Sequence, residues 1–417
     1  MRTRVGLVVL LFGVVGLLAY VGGRDGEQPG ASLQRSPGYD ATDRRQVIDT
    51  FYDVWLRNQQ VPLGWTGARS ECRPGHISST AQAATLSQVN YFRTLVGLRH
   101  VRFDDSTDNV AQRTALIMDA NSKLSHFPPR TWRCRTRAGA WLASRSNLAL
   151  GSAGTAKGAQ AVTRYVEDAG AGNRQVGHRR WLFSPRTAMM ASGSTARANA
   201  LVVVGMPQHT APVPSYVRWP SAGYFPAPLE PHGRWSLSAS RRGTDFRHAR
   251  VAVRGPDGAL VPVTQFPVRD GMGPNTLVWK VAGVQRPTVT QDVTYRIRVS
   301  GIRRSGTRLA PVAWEVTFVK PDRTLEPVQA PAVIGTYAVG ETVFASTGTW
   351  SQPLAGAAYQ WLRDGAPIPG QTYRFYRLAA ADAGHRVTVR VRASAAYFLP
   401  AEADATGDTV PEAGAAP

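Results

Sequence analysis

The stretch Leu86-Ser87-Gln88-Val89-Asn90-Tyr91-Phe92-Arg93-Thr94-Leu95-Val96-Gly97-Leu98 sets the reading of the first half of this chain. Leu86, Val89, Phe92 and Val96 recur at the three- and four-residue spacing that lines one face of an α-helix. Gly97 then offers a stop, because glycine tolerates the left-handed turn that ends many helices. The pattern predicts a helix over residues 79–96. Upstream, Thr42 or Asp43 can cap a helix that carries Val47, Phe51, Val54 and Trp55 on one face. Downstream, Val110, Ala111, Ala115, Met118 and Ala120 predict a helix over 108–124, closed before Pro128-Pro129. Ala159, Val162, Tyr165 and Val166 predict another over 155–168. After Trp181 the small and β-branched residues of 188–194 and 200–204 read as short strands.

From about residue 213 the helical period disappears. Strand-like runs fall at 235–239, 251–253, 261–266, 276–281, 294–299 and 312–318, with turns such as Pro256-Asp257-Gly258 between them. Tyr295, Ile297 and Val299 alternate with Arg296 and Arg298, the signature of a half-buried strand. Residues 212–320 therefore read as an all-β sandwich. A Pro-containing linker at 321–331 leads to a second β unit at 332–400, where Val387, Val389 and Val391 alternate with polar residues. The acidic, small-residue segment 401–417 reads as a disordered tail. The predicted architecture is multidomain: a mixed α/β unit over 42–207 followed by two all-β sandwich domains.

The 417 residues suit two to four domains. The formal net charge is +21, and of the 49 lysines and arginines only Lys123, Lys157, Lys280 and Lys320 are lysine. Such a surface is either simply solvated or attracts an acidic partner, such as an anionic wall polymer or lipid head groups. With no long basic run, zinc-finger spacing or aromatic RNP-like box, nucleic acid is not an expected partner. At the N-terminus, Arg2 and Arg4 precede an uncharged, mostly apolar stretch over 5–23, closed by Arg24 and Asp25. This reads as an export signal over 1–24, either a cleaved signal peptide or a signal anchor holding the protein to the membrane. A flexible linker over 25–41 follows. An extracytoplasmic location is the expectation, and the two cysteines, Cys72 and Cys134, are then expected to pair. Closing that loop contributes roughly 3–4 kcal/mol in the chain-entropy model.

Five motifs occur in order over the first unit: Leu86-xxx-Asn90-xx-Arg93-xxx-Gly97-Leu98; Leu124-Ser125-His126; Ser146-Asn147-Leu148-Ala149; Ala161-Val162-xx-Tyr165-xx-Asp168; and Gly177-His178-Arg179-Arg180-Trp181 before Pro185. As an ordered set they resemble the CAP superfamily of cysteine-rich secretory proteins, venom antigens and plant pathogenesis-related proteins. The resemblance implies an α-β-α sandwich around an antiparallel sheet. The last unit, with Val339-Gly340-Glu341-Thr342, Gly348-Thr349-Trp350, Tyr359-Gln360-Trp361-Leu362-Arg363-Asp364-Gly365 and Ala381-Asp382-Ala383-Gly384, resembles Ig-like modules of exported actinobacterial proteins. The middle unit is similar to the β-domain that can follow this type of CAP unit.

The resemblance also implies a cleft with two histidines and two acids. The histidines carry over to His126 and His178. The second acid falls on Asp168, with Glu167 as the neighbouring alternative; the first falls on Ser146, where the family usually reads Gly-Glu-Asn-Leu-Ala. His126, His178 and Asp168 could supply the three protein ligands of a zinc site. Alternatively, the same residues with Ser146 form a hydrogen-bonded network that fixes the cleft walls. Ser146 with a histidine and Asp168 has the letters of a catalytic triad, but no Gly-x-Ser-x-Gly turn surrounds it. Two readings of function follow. One is an exported binding protein or envelope component for a small apolar, lipid, glycan or cell-wall ligand; the other is a metal-dependent extracytoplasmic hydrolase.

Overall fold

Asp43 opens the first helix, its side chain accepting the Gln46 N–H. The computed structural model describes residues 38–151 and 156–412. The export signal and most of the first linker lie outside them. Among the described residues no helix is long and apolar enough to cross a membrane.

The opening helix runs as α1 (Arg44–Thr50), a π-helical segment (Phe51–Leu56) and α2 (Arg57–Gln60). The wider π turn buries Phe51, Tyr52 and Trp55 together. Ser78 caps α3 (Ser79–Leu95) by accepting the Ala81 N–H. There follow β1 (Arg102–Phe103), α4 (Asp105–Asn121), α5 (Arg137–Ala143), β2 (Ser146–Leu150), α6 (Gly158–Glu167), α7 (Gly177–Leu182), β3 (Met189–Ser194) and β4 (Ala198–Val202). The strands form one sheet in the order β1-β3-β4-β2. Helix α4 lies on one face with α5 beside it; α6 lies on the other and packs against α3. A Cβ added at Gly193 of β3 would sit 2.1 Å from the Gln112 backbone nitrogen, so glycine there lets α4 meet the sheet backbone to backbone. The unit is an α-β-α sandwich. Its sheet departs from purely antiparallel at one edge: β1 runs parallel to β3, because the long crossover through α4 to α7 returns the chain in the same direction.

The second unit holds β5 (Tyr216–Trp219), β6 (Gly223–Pro226), β7 (Arg234–Ala239), β8 (Thr244–Asp245), β9 (Arg250–Arg254), β10 (Val263–Gln265), β11 (Thr276–Val281), β12 (Val293–Ser300), β13 (Arg303–Arg304), β14 (Thr307–Arg308) and β15 (Val312–Val319). Two four-stranded sheets, β10-β11-β7-β5 and β6-β15-β12-β9, enclose Trp235, Trp279, Tyr295 and Phe318. Tyr295, Ile297 and Val299 point inward, as their alternation requires.

The third unit comprises β16 (Pro327–Gln329), β17 (Val333–Ile334), β18 (Thr342–Ala345), β19 (Thr349–Trp350), β20 (Gly356–Arg363), β21 (Ala366–Pro367), β22 (Phe375–Arg377), β23 (Arg386–Ser394), β24 (Ala401–Asp404) and β25 (Asp408–Thr409). Sheets β17-β18-β22 and β21-β20-β23-β24 pack over Val343, Trp361, Tyr376, Val387 and Val389. Two expectations are corrected here. The segment read as a disordered tail supplies β24 and β25, both paired with β23. Its acids are sheet partners, Asp404 accepting from Arg390 Nε at 2.7 Å, and Val410 is fully buried. The linker over 321–331 is also partly built in: β16 pairs with β19, and Leu325 is buried against Trp350.

Candidate functional site

Helix α6 ends at Asp168, which adopts a left-handed conformation with φ 49°. That turn swings the Asp168 side chain inward, where it is fully buried. Its Oδ1 accepts the His178 ring Nδ1–H at 2.8 Å, and its Oδ2 accepts the backbone N–H groups of His178 and Arg179 at 2.9 and 3.3 Å. The same carboxylate thus starts helix α7 and fixes the imidazole on it. Asn147 on β2 donates to the His178 carbonyl at 3.0 Å, and the Tyr165 ring lies 5.4 Å from the His178 ring. Tyr165 is itself held through its hydroxyl by Asn147 and Asn199. Burial drives the Tyr165 hydroxyl pKa well above its ordinary value.

His126 follows the turn after α4. Its Nδ1 lies 2.9 Å from the Ala143 carbonyl at the end of α5. A carbonyl only accepts, so this nitrogen carries the proton. His126 and His178 border one groove of about 290 Å³. Leu124, Leu148 and Leu150 give it apolar walls; Glu167 and Asn173 give it polar ones. Burial raises the Glu167 carboxyl pKa, against the lowering effect of His232, Arg164 and Arg179. Each imidazole has its Nδ1 committed to the protein. In the neutral ring this leaves Nε2 as an acceptor, and Nε2 has no hydrogen-bond partner among the described residues.

The structure separates the residues that sequence reasoning grouped. Asp168 does not border the groove and spends both oxygens on His178 and the α7 backbone. Glu167 is the acid at the groove wall. Ser146, at the position of the first acid, is buried with its hydroxyl donated to the Leu142 carbonyl at 2.8 Å, so it neither replaces that acid in the groove nor faces a histidine as a nucleophile. Among the described residues no group of three His, Cys, Asp or Glu side chains is placed to hold a metal ion. The zinc set His126, His178 and Asp168 is therefore corrected: the aspartate orients a histidine instead of joining it as a ligand. Asn147 was missed as a positioning residue. The only signal for it was its place beside Ser146 in a recognised motif.

The arginines of Gly177-His178-Arg179-Arg180-Trp181 face the second unit. Arg179 donates to the carbonyls of Val166 and Glu167 at the end of α6, and to Arg234 O and Ser236 Oγ on β7, at 2.6–3.2 Å. Arg180 reaches the carbonyls of Pro274 and Arg269, both at 3.0 Å. Arg93 likewise ties α3 to the carbonyls of Leu182, Ser184 and Thr187. Each of the three is at most 1% exposed. Cys72 and Cys134 form a disulfide that ties the loop after α2 to the loop before α5.

Residues 86–199 match the CAP family model, described as the cysteine-rich secretory protein family. The first unit is thus CAP-like. No curated protein matches the chain. Similar solved structures include the fibronectin(III)-like modules of Clostridium thermocellum CbhA, at 17% identity, covering 47% of this chain and 94% of that one, with a TM-score of 0.16. They also include the N-terminal four Ig domains of Dscam1 isoform 7.44, at 16% identity, covering 40% of this chain and 38% of that one, with a TM-score of 0.14. The two sandwiches are assigned from their own strand pairing, not from these matches.

Proposed function

We propose that this protein is an exported binding protein of the cell envelope, whose groove between His126 and His178 holds a small hydroxyl-bearing ligand, glycan or apolar in body. One observation carries this reading: both imidazoles have their Nδ1 protons committed to the protein, leaving two Nε2 acceptors on the same groove. Hydroxyl groups of a ligand would donate to these acceptors, while Leu124, Leu148 and Leu150 cover its apolar face. Export is supported by Arg2 and Arg4 before the apolar stretch 5–23, and by the Cys72–Cys134 disulfide, which suits an oxidising compartment. The stretch 5–23 serves as a signal peptide or membrane anchor. The basic surface favours an anionic wall polymer or lipid surface as a neighbour, and the sandwiches act as spacers that hold the groove away from the membrane.

Native mass spectrometry of protein recovered from the exported fraction tests this. The wild type is expected to carry a bound lipid or glycan mass, and His126→Ala/His178→Ala to lose most of it while keeping its circular dichroism. Wild-type protein that is repeatedly empty, or a double variant that keeps the mass, would overturn the reading.

A further inference from the structure

Where the C-terminal end of α3 meets strand β5 lies a second cavity, of about 610 Å³, walled by the CAP-like unit, the second unit and the residues just before α1. It shares no residue with the histidine groove. Leu95, Val96, Leu98 and Pro214 give it apolar surface, and Tyr39 and Tyr216 flank it. Cavities of this size at domain junctions are a common place for a small-molecule site, and this one has polar and apolar wall in similar measure.

Two polar side chains in the wall lack partners. The Oγ of Ser221 is buried with no hydrogen bond, in a residue only 7% exposed. Arg218 has its Nε buried without a partner, and no carboxylate pairs with it among the described residues. Its guanidinium lies 5.8 Å from the Trp314 ring centre, which limits how it can turn. Burial lowers the Arg218 pKa with no compensating charge. Arg93 and Arg179 spend their donors on carbonyls; Arg218, like Arg180 at Nη2 and Arg234 at Nε, keeps a buried donor without a partner, and of these three only Arg218 lines this cavity. Buried polar groups without partners call for a ligand or water to complete them.

We infer that this cavity binds a small organic anion, a carboxylate or phosphate monoester on an apolar body, with the anionic oxygens accepting from Arg218 and Ser221 and the body lying on Leu95, Val96, Leu98 and Pro214. The anion supplies the charge that Arg218 lacks, and a charged hydrogen bond in a half-desolvated site is stronger than a neutral one. The site is independent of the histidine groove and of the function proposed for it.

Isothermal titration of the full chain tests the inference, with 4-phenylbutyrate, the phosphate monoester of 4-phenylbutanol, and 4-phenylbutanol itself as probes. The two anions distinguish the headgroups, and the alcohol reports apolar burial alone. Anion binding is expected to weaken by about ten- to a hundredfold in Arg218→Met, which keeps the apolar stem. Binding of the alcohol should hold within about twofold, the scale of a surface change. Ser221→Ala should cost roughly three- to tenfold, and His126→Ala/His178→Ala nothing. Ala222→Phe, at an exposed rim position, should block all three probes without touching the core. Anions that bind no better than the alcohol, or that bind Arg218→Met as well as wild type, would show that water alone completes these groups and would sink the site. If Arg218→Met does not fold, Ser221→Ala and Ala222→Phe decide by the same criteria.

Discussion

The CAP-like unit meets its two neighbours in opposite ways. Against the second unit it shares one continuous apolar core, crossed by arginines that have given up water altogether. Against the third unit it uses exposed ion pairs and a small aromatic contact. Arg323 binds Asp49 and Asp53, each side chain more than a third exposed, while Tyr397 and Phe398 lie against Phe51, Tyr52 and Trp55. The third unit keeps its own core around Trp361. One residue type thus does two jobs. A buried arginine saturated by carbonyls makes two units one folding body. An exposed arginine beside aspartates only latches a body that has a core of its own.

The largest test is on Arg179. Arg179→Met removes the donor from four acceptors at the junction, two of them in fully buried bonds. Loss of one partner from such a network typically costs about 3–5 kcal/mol. Urea unfolding followed by tryptophan fluorescence should show the first and second units destabilised together, with the third unit's transition unmoved. A cost below about 1 kcal/mol, the scale of a surface pair, would erase the distinction drawn here. Trp361→Ala is the reciprocal experiment. It empties a fully buried site and should cost about 3–5 kcal/mol, confined to the third unit. Calorimetry in which Trp361→Ala also lowers the transition of the other two units would mean that the latch is a true shared core.

These assignments show what the sequence could and could not convey. The period of Leu86, Val89, Phe92 and Val96 located α3 to within a residue, and the alternation of Tyr295, Ile297 and Val299 located β12, because both elements are long enough for the burial period to repeat. Helices α5 and α7, of seven and six residues, were not legible, since two turns cannot establish a period. The choice between Asp168 and its alternative Glu167 as the acid at the groove stayed open in the sequence for a local reason. The left-handed turn at Asp168 breaks the helical projection, so the next residue in sequence points into the protein and Glu167 remains at the wall. That Arg179 and Arg180 are buried was not legible either, because sequence does not show the carbonyls that receive them. Segment 401–410 read as disorder by composition, although its acids complete a basic strand.

The two bodies should also differ in how pH acts on them. Asp108, near the start of α4, hydrogen-bonds the Ser192 N–H and Gln82, yet burial pushes its carboxyl up to about 7. The folded state therefore holds this proton more tightly than the unfolded chain does. The stabilisation is complete below about pH 4 and is lost as pH rises towards 7. The effect is on the order of 4 kcal/mol across that window. Asp108→Asn should flatten the slope for the joined first and second units and leave the third unit's profile alone. Urea midpoints at pH 5 and pH 8 measure it. An unchanged slope would place the titrating group elsewhere.

The latch should respond in the opposite direction and more weakly. Hydrogen bonding to Arg323 holds the Asp53 carboxyl below its ordinary range. The folded state thus prefers this aspartate ionised. Its contribution is present above the unfolded value near pH 4 and disappears as pH falls through the lowered folded value. Both partners are exposed, so solvent screens the pair, and Arg323→Ala should cost no more than about 1 kcal/mol of docking. Added salt should mimic the substitution, and Asp53→Asn should reproduce most of it at pH 7 but add nothing at pH 2. Small-angle scattering of the full chain reads the result directly. Weakening the latch should let the third unit swing from the opening helix and enlarge the radius of gyration, with all three bodies still folded. A particle that stays unchanged in size in Arg323→Ala at high salt would shift the attachment to Tyr397 and Phe398. The aromatic contact, and not the ion pairs, would then be what the third unit shares with the first.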